Sequence, residues 1–207
     1  MPDVTPTRSA ALALAEERTL MRQGFGFLDE KRMLLATEIL RLLRRYEEAA
    51  ADMSSRRRAA AGALAAAVER HGLDALQLYP VPANAPQPPR ARSTKFLGVL
   101  VRASEPWRIT EAPVREPFDA SPEAARCRAA FARWLESTLE AGTLAGNLER
   151  LGREYKRVER RAKALENVLL PEVEASLKGV REQLDVMDQE EAVRVRNAEA
   201  DRAAGVL

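Results

Sequence analysis

Apolar residues return every seven positions through the first third of the chain, at Leu14, Met21, Leu28, Leu35, Leu42 and Ala49. A companion row, four residues later, runs Phe25, Arg32, Ile39, Tyr46 and Met53. Ten of these eleven positions are apolar, Arg32 being the exception, and a seam sustained over that length predicts a coiled-coil helix. Thr5 or Thr7 is placed to cap its start, Pro6 is permitted in a first turn, and the helix is expected to reach about Gly72. Sixty or so helical residues would span on the order of 90 Å at 1.5 Å each.

A second seam occupies the last third. Leu144, Leu148, Leu151, Tyr155, Val158, Ala162, Leu165 and Leu169 alternate in steps of four and three, and the row resumes at Val173, Leu177, Val180, Leu184 and Met187. Steps of four from 165 through 177 displace the seam by one residue, a local adjustment of the coil. Pro171 lies inside this stretch. A proline in a helix interior removes a hydrogen bond and clashes with the preceding turn, at about 3 kcal/mol. Because the apolar row survives it, the helix is expected to kink there and continue, with Gly179 a second weak point.

Proline divides the chain in three. Nine of the twelve lie from Pro80 to Pro122, and none falls between Pro6 and Pro80 or between Pro122 and Pro171. The expected organisation is therefore an N-terminal coiled-coil helix over 1–72, a proline-rich connector over 73–121, and a C-terminal coiled-coil helix over 122–207, kinked near Pro171. Within the connector, "KFLGVLVRA" and "WRITEA" favour β structure, and Ser104, Glu105 and Pro106 between them suggest a hairpin turn. "DASPE" reads as a helix start, with Ser121 as cap and Pro122 in the first position. The fold class is mainly α, a long antiparallel two-helix coiled coil joined by a short connector with a β-hairpin. Stripes that pair between two copies of the chain remain compatible with the same pattern.

Composition supports helices over an ordinary globule. Charged residues make up 31% and aromatics 5% of the 207 residues, with alanine, leucine, glutamate and arginine dominant. The formal charge of +2 calls for neither nucleic acid nor an anionic membrane as partner. Cys127 stands alone, which excludes an internal disulfide and fits a reducing compartment. No apolar run approaches the ~20 residues of a membrane span, and the opening "MPDVTPTRSA" lacks the apolar core of a signal peptide. A cytoplasmic protein is expected.

Catalytic chemistry finds little support. The single histidine, His71, sits at a helix end, no cluster has zinc-ligand spacing, and "GFGF" at Gly24–Phe27 lacks the context of a phosphate loop. The carboxylate pairs Glu16/Glu17, Glu47/Glu48 and Glu190/Glu191 lie among cations on helix faces. No catalytic residue, cofactor site or metal site is expected. One run stands out: Glu149–Glu166 carries Arg150, Arg153, Lys156, Arg157, Arg160, Arg161 and Lys163 beside four glutamates. It reads as a solvated coil surface laced with i,i+4 pairs, or as a docking face for an acidic partner.

The residues also resemble a known family. "PTRSAALALAEERTLMRQGFGFLDEKRMLL", with Pro6, Thr7, Arg8, Gly24, Lys31 and Arg32, is similar to the N-terminal signature of the D subunits of A/V-type rotary ATPases. "KRVERRAKALENVLLPEVEASLKGVREQLDVMDQEEAVRVR" resembles their C-terminal segment at Arg160, Arg161, Ala164, Leu165, Glu166, Val168, Pro171, Leu184, Glu190, Arg194 and Arg196. The resemblance implies a non-catalytic central rotor shaft of an H+ or Na+ transporting V/A-type ATPase or ATP synthase, carrying torque between the catalytic ring and the membrane rotor. Its implied partners are the catalytic and regulatory ring subunits, a small central-stalk subunit and a rotor-ring adaptor, with the chain peripheral to the membrane. By analogy Arg8, Arg194 and Arg196 become ring contacts at the shaft tip, and the basic run from Arg150 to Lys163 a partner face. A shaft turning in a bearing should be stiff and free of apolar side chains outside. Two alternatives share the two-helix form: the coiled-coil stalk of a flagellar export ATPase, and a freestanding or homodimeric scaffold.

Overall fold

The computed structural model of the protein describes residues 5–77, 79, 91–104 and 120–204. Helix α1 covers Arg8–Gln77, strands β1 and β2 cover Ala91–Phe96 and Val99–Ser104, helix α2 covers Pro122–Ala164, a π-helical turn covers Leu165–Leu169, and helix α3 covers Leu170–Ala204. The chain forms two compact units. The first takes residues 1–33 and 156–207, the second 34–155.

In the first unit, the start of α1 runs antiparallel to the end of the chain. Thr7 caps α1, its Oγ1 accepting from the Ala10 amide at 3.1 Å, so Pro6 stands before the helix and outside its first turn. Arg8 meets Asp188 at 3.1 Å and Arg22 meets Glu174 at 2.6 Å, while a side chain at Gly24 would touch Leu165 at 4.0 Å. As one residue number rises, its partner's falls. Between the helices, Val158, Ala162, Val173, Leu177 and Val180 are buried, against half-buried Leu14, Met21, Phe25 and Leu28. Arg32, the polar exception in the seam, is held by Asp29 at 2.5 Å and lies near enough to Glu159 to lower that carboxyl's pKa.

Proline does not stop the second helix. The chain stays helical through Pro171 and Gly179, and the irregularity falls just before, where the Leu170 amide donates to the Leu165 carbonyl five residues back. A π turn is a single-residue insertion into an α-helix. Its effect shows in the seam, whose inward positions step from Val158 to Ala162 and Leu165, then by five to Leu170, then on to Val173, Leu177, Val180 and Leu184. Leu169, expected on the seam, is instead 39% exposed, and Leu170 replaces it. Uninterrupted α geometry would turn Glu172, Ser176 and Gln183 inward. The extra residue is what keeps the apolar row facing α1. A turn already shifted to i→i−5 bonding is also where a residue without an N–H costs least. Met187, the last residue expected in the row, is exposed, at the level where Asp188 meets the first turn of α1.

In the second unit, the remainder of α1 runs antiparallel to α2. Leu35, Leu42, Ala60 and Ala67 are buried on one helix and Ala141, Leu144 and Leu151 on the other. Ile39, Tyr46, Ala49 and Met53 are half-buried, as the seven-residue spacing requires. Arg56 donates to the Arg133 carbonyl at 3.2 Å, and Arg70 lies 3.4 Å from Glu123. Gly72 leaves helical values at φ 74°, ψ 161°, the left-handed region that a residue without Cβ enters freely. Opposite this break α2 begins as expected, the Ser121 Oγ accepting from the Ala124 amide at 3.1 Å with Pro122 in the first position. His71 Nε2 lies 2.5 Å from the same hydroxyl, so the lone histidine joins one helix's end to the other's cap.

The hairpin is displaced from its expected position. β1 and β2 pair antiparallel from Ala91↔Ser104 to Phe96↔Val99, so "KFLGVLVRA" is not one strand but folds on itself at Leu97–Gly98. Both turn residues have positive φ, 48° for Leu97 and 86° for Gly98, as a two-residue hairpin of this hand demands. Leucine is a poor choice there, which hid the turn from a reading based on turn-favouring residues. The expected strand "WRITEA", and Glu105 and Pro106 of the expected turn, lie outside the described residues.

Two outcomes are expected. Deleting exposed Val168 together with Pro171→Ala should convert the π turn to regular helix with the seam intact, leaving Tm within a few degrees; deleting Ser176 should misalign the seam and lower Tm by about 10 °C or more by thermal unfolding. Leu97→Asn should relieve about 1–2 kcal/mol of left-handed strain and slow exchange of the Thr94 and Val101 amides.

Candidate functional site

Helix registry decides where each expected contact residue falls. In the first unit, Arg8 sits in the first turn of α1 with its side chain 82% exposed, and Asp188 holds it from α3. An ion pair so open to water contributes about 1 kcal/mol at most and can exchange its carboxylate for another. Arg194 and Arg196 come later on α3, beyond Asp188. Both are exposed, and among the described residues neither is ion-paired. Arg196 borders a shallow open groove with Asp188, Glu191, Val195 and Glu199, and Arg194 lies beside Val186, Glu190 and Val193.

The basic run is not uniform. Within the first unit, Lys156, Arg157, Arg160, Arg161 and Lys163 are all exposed. Arg160 Nε donates to the Lys156 carbonyl at 3.3 Å. Lys163 meets Glu159 at 2.9 Å, and this hydrogen bond and charge hold Glu159's carboxyl below the usual carboxylate range, with a smaller contribution from Arg32. Within the second unit, Arg153 is exposed beside Glu149 at 3.3 Å. Arg150 differs: it is half-buried, its Nη2 donating to Asn147 Oδ1 at 2.6 Å along its own helix.

That contact belongs to an arrangement the seven-residue pattern did not reveal. Asn147 is buried, and its carboxamide takes both backbone groups of Arg102 on β2, accepting from the amide at 2.9 Å and donating to the carbonyl at 2.7 Å. The side chain replaces a neighbouring strand and docks the hairpin on α2. Its only signal was a polar residue between Leu144 and Leu151. Phe96, Val99 and Val101 on the same side of the hairpin are shielded, with Val99 buried.

The outer surface departs from expectation. Leu12, Leu20, Phe27 and Met33 on α1 are each more than 60% exposed, Phe27 at 67%, so this part of the coil is not free of apolar side chains outside. Gly24 packs toward Leu165, the first residue of the π turn, whereas Gly26 faces open space.

Among the described residues no group of three metal-ligating side chains gathers, and His71 is engaged with Ser121. Burial pushes the Cys127 thiol up, away from the nucleophilic thiolate. Glu123 is held below the usual carboxylate range by its own backbone amide and then by the charges of Arg70 and Arg126, as suits a carboxylate in the first turn of α2. No described helix is long and apolar enough to cross a membrane.

These features accompany a match to known proteins along almost the whole chain. The family model for the D subunit of ATP synthase matches residues 10–200. The D subunit of a V-type ATP synthase from Thermotoga neapolitana is 24% identical over 194 residues, 93% of this chain and 95% of that protein. The D subunit of an A-type ATP synthase from Methanopyrus kandleri is 27% identical over 200 residues, 95% of this chain and 85% of that protein. The D subunit of a V-type ATP synthase from Anaeromyxobacter dehalogenans (strain 2CP-C) is 29% identical over 203 residues, 97% of each chain. The chain belongs to the ATP synthase D-subunit family, the stalk subunits of V- and A-type rotary ATPases.

Proposed function

We propose that this chain is the non-catalytic central rotor shaft of a V/A-type ATPase or ATP synthase, carrying torque between a catalytic ring and an ion-transporting membrane rotor. The observation that carries the reading is the antiparallel closure of the chain on itself, Arg8 against Asp188 and Arg22 against Glu174, which makes one two-stranded element of the two ends. Two helices joined along an apolar seam resist twisting better than either alone, because relative sliding would uncover the seam.

Arg194 and Arg196, exposed beyond Asp188, are the contacts we assign to the ring, with Arg8 able to exchange Asp188 for a ring carboxylate. Lys156, Arg157, Arg160, Arg161 and Lys163 are assigned as a partner face of the first unit, and exposed Arg153 as a partner contact of the second; Arg150 acts there through Asn147. The ring subunits, a small central-stalk subunit and a rotor-ring adaptor are the partners this reading requires, and it makes the protein cytoplasmic and peripheral to the membrane. In this reading Pro171, the π turn before it and Gly179 are assigned the role of bending the coil, so that surrounding sites meet unlike faces.

The reading is tested in a reconstituted complex by measuring ATP hydrolysis and ion transport together. Arg194→Gln with Arg196→Gln should reduce coupled transport about tenfold or more, the loss expected when interfacial charge pairs are broken. The Val168 deletion combined with Pro171→Ala should preserve assembly while lowering transport per ATP hydrolysed. Full coupling in both variants would remove the ring contacts and the bend from the mechanism. A chain that fails to assemble with nucleotide-binding subunits would overturn the shaft itself.

A further inference from the structure

The hairpin has one edge closed and one edge open. Because both backbone groups of Arg102 go to Asn147, they point away from β1, and the Ser93↔Arg102 pair is a non-hydrogen-bonded one. Alternation along the ladder then fixes the rest. Arg92, Thr94 and Phe96 bond to β2, while the amides and carbonyls of Ser93 and Lys95 point outward from β1. Ser93, Thr94 and Lys95 are exposed, and among the described residues no third strand pairs with them.

The side chains set what such an edge would accept. Ser93, Lys95, Leu100 and Arg102 share the hairpin face opposite Phe96, Val99 and Val101. Lys95, Leu100 and Arg102 are exposed there, with Leu100 at 42%. The fourteen residues from Ala91 to Ser104 contain no carboxylate. A second copy of the hairpin, bringing like charge to like, is disfavoured, whereas an extended acidic strand is attracted.

We propose that β1 is a docking edge for an extended, acidic segment of a partner protein, which adds as a third strand. Main-chain bonds to Ser93 and Lys95 would hold it, and Lys95 and, across Ser93, Arg102 would pair with carboxylates at alternate positions, the residues between them falling on the face of Phe96, Val99 and Val101. This surface is independent of the shaft reading and can fail or stand without it.

The test uses the full chain and a capped peptide of sequence Thr-Glu-Val-Glu-Val-Glu-Thr, followed through the backbone amide resonances. In the free protein the Ser93 and Lys95 amides should exchange rapidly while those of Thr94 and Phe96 are protected. Peptide should shift Ser93 and Lys95 saturably and slow their exchange. Ser93→Pro with Lys95→Pro removes only outward N–H groups and should weaken binding at least tenfold, with protection at Thr94 as the check that the hairpin persists. Should the prolines disturb it, Lys95→Glu with Arg102→Glu leaves the Asn147 clamp in place and should weaken binding as much. The proposal is overturned if Ser93 and Lys95 are already protected in the free chain, meaning the edge is occupied from within. It is equally overturned if no saturable binding occurs, if peptides N-methylated at the valines and at the glutamates both bind as well, or if the chain pairs with a second copy through this edge.

Discussion

Two helices that bury one shared stripe stay together only while the stripe on each keeps facing the other, and a drift of one residue turns polar side chains inward. Everything distinctive in the first unit answers to that constraint. The apolar rows before and after residue 165 are out of phase by one position, and the π turn at Leu165–Leu169 absorbs the difference. Pro171 follows where the ladder is already altered, and Gly24 of α1 faces Leu165 at the same level. What looks like a helix breaker in a helical sequence belongs to a single correction of phase.

The second unit depends on the same seam but ends it differently. Small residues, Ala60 and Ala67, are fully buried where α1 approaches its break at Gly72. There the chain replaces apolar packing with a polar junction of His71, Ser121, Arg70 and Glu123, which ties the end of one helix to the start of the next. The hydroxyl of Ser121 serves two masters, the Ala124 amide and the imidazole, so the helix start and the helix end are positioned together.

How much of this could be read beforehand follows from the range of each interaction. Heptad spacing is set by neighbours on one helix, so every seam residue from Leu14 to Met53 was legible, and so were the Ser121 cap and the proline at its side. The phase shift was visible as steps of four, yet its resolution was not. Whether Leu169 or Leu170 faces inward depends on the wider turn, which periodicity cannot encode. The hairpin turn was hidden because Leu97 adopts a conformation leucine seldom takes. Asn147 was hidden because its partner, the backbone of Arg102, lies forty-five residues away and carries no side-chain signature. The contact residues were legible as charges only. Arg150 and Arg161 look alike in sequence, and burial alone separates an internal strut from an exposed cation.

The Asn147 clamp carries a consequence for motion. A carboxamide bound through both its ends to the backbone of one residue cannot pivot without breaking two hydrogen bonds at once, and it springs from a helix instead of a loop. The hairpin therefore behaves as a hand fixed to a spindle: when α2 and the part of α1 paired with it turn as one body, the strands sweep with them, and their bearing at any instant reports the angle of the pair.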